Sequence, residues 1–206
     1  MGKSSGGLRG GSNGGGPKNP IMDLKGATEA GYTDKMMRNI VGIEQKYRTN
    51  KDETLHMFTP SGELIHSFAG KGAEVRIPSG LIIEHTILTH NHPRSLGQKG
   101  VLRIGNSLSA PDLYTMVRRN VREMRAVTPT YTYSMKRPKG GWGVTEQRLK
   151  RAYKKAERET LDEARRYIAR MGNSKTAIMR ANATFYHKVN KKLAAKFGWD
   201  YTKKNR

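Results

Sequence analysis

The chain has 206 residues, with 39 Lys+Arg against 17 Asp+Glu and a formal net charge of +22. That length accommodates one domain of ~100–150 residues plus extensions. Cysteine is absent, which excludes disulfide scaffolds, thiolate zinc sites, iron–sulfur clusters and cysteine nucleophiles, and leaves histidine and carboxylates as the side chains for any metal.

Residues 1–20 carry eight glycines in their first sixteen positions and read as a disordered tail. Within 21–50, an N-terminal helical segment, Met36, Met37, Ile40, Val41 and Tyr47 recur near helical spacing from Thr33 onward. Residues 53–58 and 63–68 flank Thr59-Pro60-Ser61-Gly62 and read as a β-hairpin. A three-residue loop at 60–62 sets His56 opposite His66, a cross-strand surface pair. Residues 73–77 and 81–90 read as further extended segments, 81–85 alternatively opening a helix. A glycine-rich stretch, 94–107, leads to a helix from Ala110 whose Leu113, Met116, Val117, Asn120, Val121 and Met124 share one face. Residues 126–135 alternate as a strand and end in a Pro138–Gly141 turn.

From residue 145 the character changes. Leu149, Ala152, Tyr153, Ala156, Leu161, Ala164, Ile168 and Met171 form one helical stripe, stopped by Gly172-Asn173. Ser174 caps a second helix that carries Ile178, Ala181, Phe185, Val189 and Leu193 and stops at Gly198. The expected organisation is a core at 51–144 followed by a basic helical extension at 145–206. The expected class is α+β: a mixed sheet flanked by helices, with a C-terminal basic helical hairpin.

Residues 145–206 hold 18 basic and 6 acidic side chains, so mutual pairing cannot neutralise the hairpin. Arg148, Lys150, Arg151, Lys154 and Lys155 in one run, and Lys188, Lys191 and Lys192 in another, are candidate phosphate contacts. Nucleic acid or an acidic protein is the expected partner of this tail. No run approaches the ~18 apolar residues that span a membrane, and no secretory signal opens the chain. A soluble protein is expected, with no membrane partner.

The chemistry concentrates in Thr89-His90-Asn91-His92-Pro93 and Ser109-Ala110-Pro111-Asp112. Side chains alternate along a strand, so His90 and His92 point to one side and can offer two nitrogens to one divalent cation. Asp112, in the first turn of the next helix, can bring a carboxylate to the same point. Two histidines and one aspartate leave a fourth tetrahedral position, as an open zinc site requires. Ser109 and Asp112 also make a helix-start pattern on their own account, cap and first-turn acid. His85 and His187 are given no role.

His-x-His followed by Ser-x-x-Asp resembles the motif of the JAB/MPN (JAMM) zinc metalloprotease superfamily. The His-Asn-His-Pro wording is closest to its RadC-like branch and to proteins of phages and mobile elements. The resemblance covers roughly 50–140 and implies zinc ligated by His90, His92 and Asp112, with Ser109 bonding the oxyanion or the metal's water. It implies a general-base glutamate on an earlier strand: Glu53 occupies the expected place, with Glu63 and Glu74 as rivals, while Glu84 lies too far along its strand. Residues 93–108 make a longer spacer than the family's, implying an enlarged loop over the site or Ser107 in place of Ser109. The function so implied is hydrolysis of an amide or isopeptide bond in a peptide substrate. Two alternatives are a non-catalytic basic phage structural or DNA-binding protein on the same fold, and a RadC-like DNA-processing nuclease. Either fits a cytoplasmic or phage/virion-associated location.

Overall fold

The computed structural model describes residues 32–72, 74–92 and 106–205. The glycine-rich tail at 1–20, residues 21–31, and most of the 94–107 stretch lie outside the described residues. Among the described residues, four helices and six strands follow in the order α1 (Asp34–Tyr47), β1 (Thr54–Phe58), β2 (Leu64–Ala69), β3 (Ile87–Asn91), α2 (Ala110–Arg118), β4 (Glu123–Val127), β5 (Tyr131–Lys136), α3 (Glu146–Arg170), α4 (Lys175–Phe197) and β6 (Asp200–Asn205). The class is α+β. One mixed sheet runs β2-β1-β3-β4-β5-β6, with β3 and β4 parallel and every other neighbouring pair antiparallel.

Strand alternation divides this sheet into two faces. Leu55, Met57, Leu88, Met124, Ala126, Tyr133 and Met135 join Leu113 and Met116 of α2, Leu149 and Tyr153 of α3, and Val189 and Leu193 of α4 in the larger core. The opposite face carries Phe58 and Ile87, which pack on Met36 and Ile40 of α1. The hairpin helices therefore share the main core with the strands of the 51–144 segment. Trp142 and Trp199 meet edge to face at 5.0 Å, and Trp199 Nε1 donates to the Trp142 carbonyl at 3.0 Å.

Local chemistry sets the helix ends. Thr33, Ser109, Thr145 and Ser174 each cap a helix by accepting a backbone N–H. Gly198 closes α4 at φ 69°, a left-handed conformation open to glycine without a Cβ penalty.

Four expected elements differ. The helix from Ala110 ends at Arg118 and not near Met124, because Asn120 turns left-handed at φ 48° and the chain enters β4. The expected strand 126–135 is two strands separated by a turn in which Tyr131 N–H donates to Thr128 Oγ1 at 2.9 Å. Residues 74–77 form no strand, only an isolated Lys71–Glu74 bridge, and 81–86 are neither strand nor helix. His56 and His66 are not opposed. An irregularity between Met57 and Phe58 shifts the register by one, pairing Met57 with His66 and His56 with Ser67. His56 Nδ1 accordingly bonds Ser67 Oγ at 2.8 Å, and its ring lies 4.2 Å from that of Tyr47.

Beneath α1 lies a buried ionic network. Arg125 of β4 makes two bonds to Glu44 of α1, Nε to Oε1 at 2.6 Å and Nη2 to Oε2 at 3.2 Å. It makes a third to Glu123 Oε1, from Nη1 at 2.8 Å. Thr89 donates to Glu44 at 2.9 Å, and Ser134 donates to Glu123 at 2.5 Å. Both carboxylates are fully buried. The guanidinium fork bonds both acids at once, a geometry that lysine cannot reproduce.

Candidate metal centre

His90, the penultimate residue of β3, lies on the face that carries the main core, and His92 follows just past the strand end. Their Nε2 atoms lie 2.9 Å apart. Two nitrogens on one tetrahedral zinc stand ~3.3 Å apart for bonds of ~2.0–2.1 Å, so the pair needs only a small separation to share an ion. Asp112 comes from the first turn of α2, where its Oδ2 is 3.5 Å from His90 Nε2 and 3.9 Å from His92 Nε2. Glu53, the residue before β1, places Oε1 4.0 Å from His90 Nε2. Ligand atoms of Glu53, His90 and His92 all lie within 4.8 Å of one another, and this group could hold a metal ion.

The cap of α2 fixes Asp112. Ser109 N–H and Ser109 Oγ–H each donate to Asp112 Oδ2 at 2.7 Å, and Asp112 N–H returns to Ser109 Oγ at 3.4 Å. The helix-start pattern and the candidate ligand set thus share the Asp112 carboxylate. Ser107 is not a substitute for Ser109: its hydroxyl is buried and engaged with Tyr201 Oη at 2.7 Å and Asn190 Nδ2 at 3.0 Å.

Glu53 is held by its backbone. Its N–H donates to the Gly72 carbonyl at 2.7 Å and its carbonyl accepts from Gly70 N–H at 2.8 Å. A Cβ on Gly70 would run into the Glu74 and Glu53 carbonyl oxygens, which accounts for glycine there. Asn91, between the two histidines, points to the other side of the strand and is fully buried. It accepts from Thr54 N–H at 2.7 Å and donates to the Asp52 carbonyl at 3.1 Å. Asn91 therefore staples the loop bearing Glu53 to the strand bearing the histidines. Sequence reasoning missed it; a short polar side chain wedged between two candidate ligands was the available signal. Of the rival acids, Glu63 is exposed, Glu74 pairs with exposed Arg76, and Glu84 lies by His85.

Protonation follows from this geometry. His92 Nδ1 lies 2.7 Å from the Asn106 carbonyl, so it donates there and leaves Nε2 bare in the neutral ring. Burial, with the adjacent His90, pushes the His92 pKa down to about 4. Burial also works against a charge on His90, but Asp112 and Glu53 outweigh it and raise its pKa. Asp112 is buried too, yet His90, His92 and Ser109 hold its carboxyl well below the usual range. Glu53 goes the other way: burial, reinforced by Asp112 and opposed by His90, lifts it to about 7. A proton carried on His90 Nε2 would face His92 Nε2 at 2.9 Å and Asp112 Oδ2 at 3.5 Å, at the point where a cation would sit. Loading must displace that proton, so zinc affinity is expected to rise by about tenfold per pH unit while His90 is protonated. Titrations across pH 5.5–7.5 check this; a pH-independent affinity contradicts it.

The basic candidates divide. On the hairpin, Lys150 pairs with Glu146 at 2.7 Å, Lys155 with Glu159 at 3.9 Å, Lys188 with Glu163 at 3.8 Å, and Lys192 with Glu163 and Glu159 at 2.8 and 3.6 Å. Arg151, Lys154 and Lys191 are exposed with no ionic partner among the described residues. Arg148 lies over the Phe197 ring. Among the described residues, no helix is long and apolar enough to cross a membrane.

No family model, no curated protein and no solved structure matches the chain.

Proposed function

We propose that the protein is a zinc-dependent hydrolase of the JAB/JAMM type, acting on an amide or isopeptide bond. The observation that carries this reading is the convergence of His90 Nε2, His92 Nε2, Asp112 Oδ2 and Glu53 Oε1 around one point, beside the Ser109 hydroxyl. His90, His92 and Asp112 would hold the ion; this donor set of two imidazoles and an ionised carboxylate suits zinc. When bound, zinc supplies Lewis acidity, lowering the pKa of a water and polarising a carbonyl.

The chain's own groups supply the rest. Glu53 accepts the water's proton at its carboxylate and returns it to the departing amine nitrogen. Its placement beside the histidines, rather than among the hydrogen bonds of the α2 cap, leaves the carboxylate available for that transfer. Ser109 Oγ, turned from Asp112, donates to the oxyanion of the tetrahedral intermediate. Asn91 keeps Glu53 within reach by holding residues 52 and 54.

The test is hydrolysis of a panel of peptides and lysine-linked isopeptides by the full chain loaded with zinc. Glu53→Gln is expected to lower kcat by about 10²–10⁴-fold, the usual worth of a positioned acid–base group, while zinc stays bound. Cleavage of DNA with no cleavage of peptides would favour a RadC-like nuclease instead. A metal-free protein inert to both would leave the non-catalytic basic protein.

A second reading concerns the hairpin. Exposed Arg151, Lys154 and Lys191 favour phosphate contacts with nucleic acid, without base reading. Arg151→Glu with Lys154→Glu is expected to weaken duplex DNA binding equally for unrelated sequences. It should also flatten the slope of log K against log salt by about 2. An unchanged slope contradicts the assignment.

A further inference from the structure

We infer that the C-terminal hairpin, through Asn190 of α4 and Tyr201 of β6, sets the geometry of the metal centre; this rests on the zinc-site reading above. The connection runs through four consecutive residues that belong to neither a strand nor a helix. Asn106 orients His92 through its carbonyl, 2.7 Å from Nδ1. Ser109 orients Asp112 through its N–H and its hydroxyl. Between them, Ser107 and Leu108 are anchored from the hairpin side. Asn190 Nδ2 donates to Ser107 Oγ at 3.0 Å and to the Leu108 carbonyl at 2.9 Å. Tyr201 Oη shares a 2.7 Å hydrogen bond with Ser107 Oγ and a 2.8 Å one with His187 Nδ1.

One cross-link therefore fixes both the carbonyl that orients a histidine ligand and the cap that orients the carboxylate ligand. Partners of this kind, one bond removed from a metal's ligands, fix ring orientation and tautomer. Asn190 is fully buried, and its Oδ1 has no hydrogen-bond partner among the described residues. A buried unpaired amide oxygen is destabilising, and an apolar side chain at this position would avoid it. What asparagine supplies at 190 is a pair of donors aimed at residues 107 and 108. The tail thus has a part at the candidate centre that its charge does not reveal: Asn190 and Tyr201 are positioning residues for His92 and Asp112.

The experiment compares the full-length protein with Asn190→Leu, which keeps the branched heavy-atom skeleton and removes both donors, and with Tyr201→Phe, which keeps the ring. Zinc Kd is measured by competition with a chromophoric chelator, and the cobalt-substituted proteins give d–d spectra. The His92 Nδ1–H proton is followed by NMR in the metal-free protein. Expected are native circular dichroism, a zinc Kd weakened by about 10–100-fold, altered cobalt bands, and a shifted or exchange-broadened His92 Nδ1–H signal. Should Asn190→Leu fail to fold, Tyr201→Phe alone carries the comparison. Variants with wild-type zinc affinity, cobalt bands and His92 signal overturn the inference while leaving the zinc reading intact. Wild-type protein that binds neither zinc nor cobalt overturns the zinc reading, and the role assigned to Asn190 and Tyr201 falls with it.

Discussion

Asp112→Asn is expected to abolish stoichiometric zinc binding, whereas Glu53→Gln is expected to retain it. The two carboxylates flank the same histidine pair, so composition does not decide between them; their surroundings do. Asp112 Oδ2 is nearer, 3.5 Å from His90 Nε2 against 4.0 Å for Glu53 Oε1, and reaches both histidines. The α2 cap orients its carboxylate through two hydrogen bonds from Ser109, and the neighbouring histidines keep it ionised. Glu53 is lifted to about 7 by burial, the behaviour of a proton carrier more than of a permanent anion. The substitution of asparagine at 112 keeps an oxygen for the Ser109 N–H, so the cap survives and the loss reports on the ligand. Metal content after gel filtration checks both variants. Retention in Asp112→Asn with loss in Glu53→Gln would assign the ion to Glu53, His90 and His92 instead.

Arg125→Met is expected to cost about 3–5 kcal/mol of stability, the penalty of leaving buried charge unpaired. Native domains hold only about 5–15 kcal/mol in total, so the variant should be largely unfolded or strongly lowered in Tm. The reason lies in the count of partners. Arg125 satisfies Glu44 with two hydrogen bonds and Glu123 with one, and both acids are fully buried. Removing the guanidinium strands two carboxylates between α1 and the sheet. The triple change Glu44→Gln, Glu123→Gln, Arg125→Met should recover much of the loss, because neutral amides avoid the unpaired charges. Urea unfolding of the two proteins checks this; equal midpoints for Arg125→Met and wild type would contradict it.

The contrast between what was legible in the residues and what was not follows the range of the interactions. His90 and His92 are two apart at the end of a strand, and alternation carried one residue past it aims both at one point. Asp112 lies three residues from its own cap, again a local matter. Glu53 is different: its place beside His90 depends on Asn91, which accepts from the neighbouring Thr54 N–H across 37 residues, and on the close approach of Gly70 and Gly72. No local pattern records those contacts. The early end of α2 turned on one residue, Asn120, taking a left-handed conformation inside an otherwise continuous apolar stripe. The shift of His56 away from His66 turned on a single irregularity in the hairpin. Glu44 is fully buried on α1, and its guanidinium partner Arg125 lies 81 residues on, beyond the reach of any local pattern.

The C-terminal strand was the least legible element. Asp200–Asn205 reads as a polar, charged end, yet it pairs with β5 along its whole length. Edge strands are held by backbone hydrogen bonds and tolerate lysine on the open side, so an apolar pattern is not required. Tyr201 is the exception, turned inward to Ser107 and His187. A segment first notable for its charge therefore also supplies part of the packing and polar support around the candidate centre.

Zinc binding by His90, His92 and Asp112 is checked by elemental analysis of the purified full chain, with thermal unfolding before and after chelation. Close to one zinc per chain is expected, with a Tm that falls on chelation and recovers when zinc returns, since a ligand bound only by the folded state stabilises it by mass action. A protein that purifies without metal, takes up none when zinc is supplied and shows no change in Tm would contradict it.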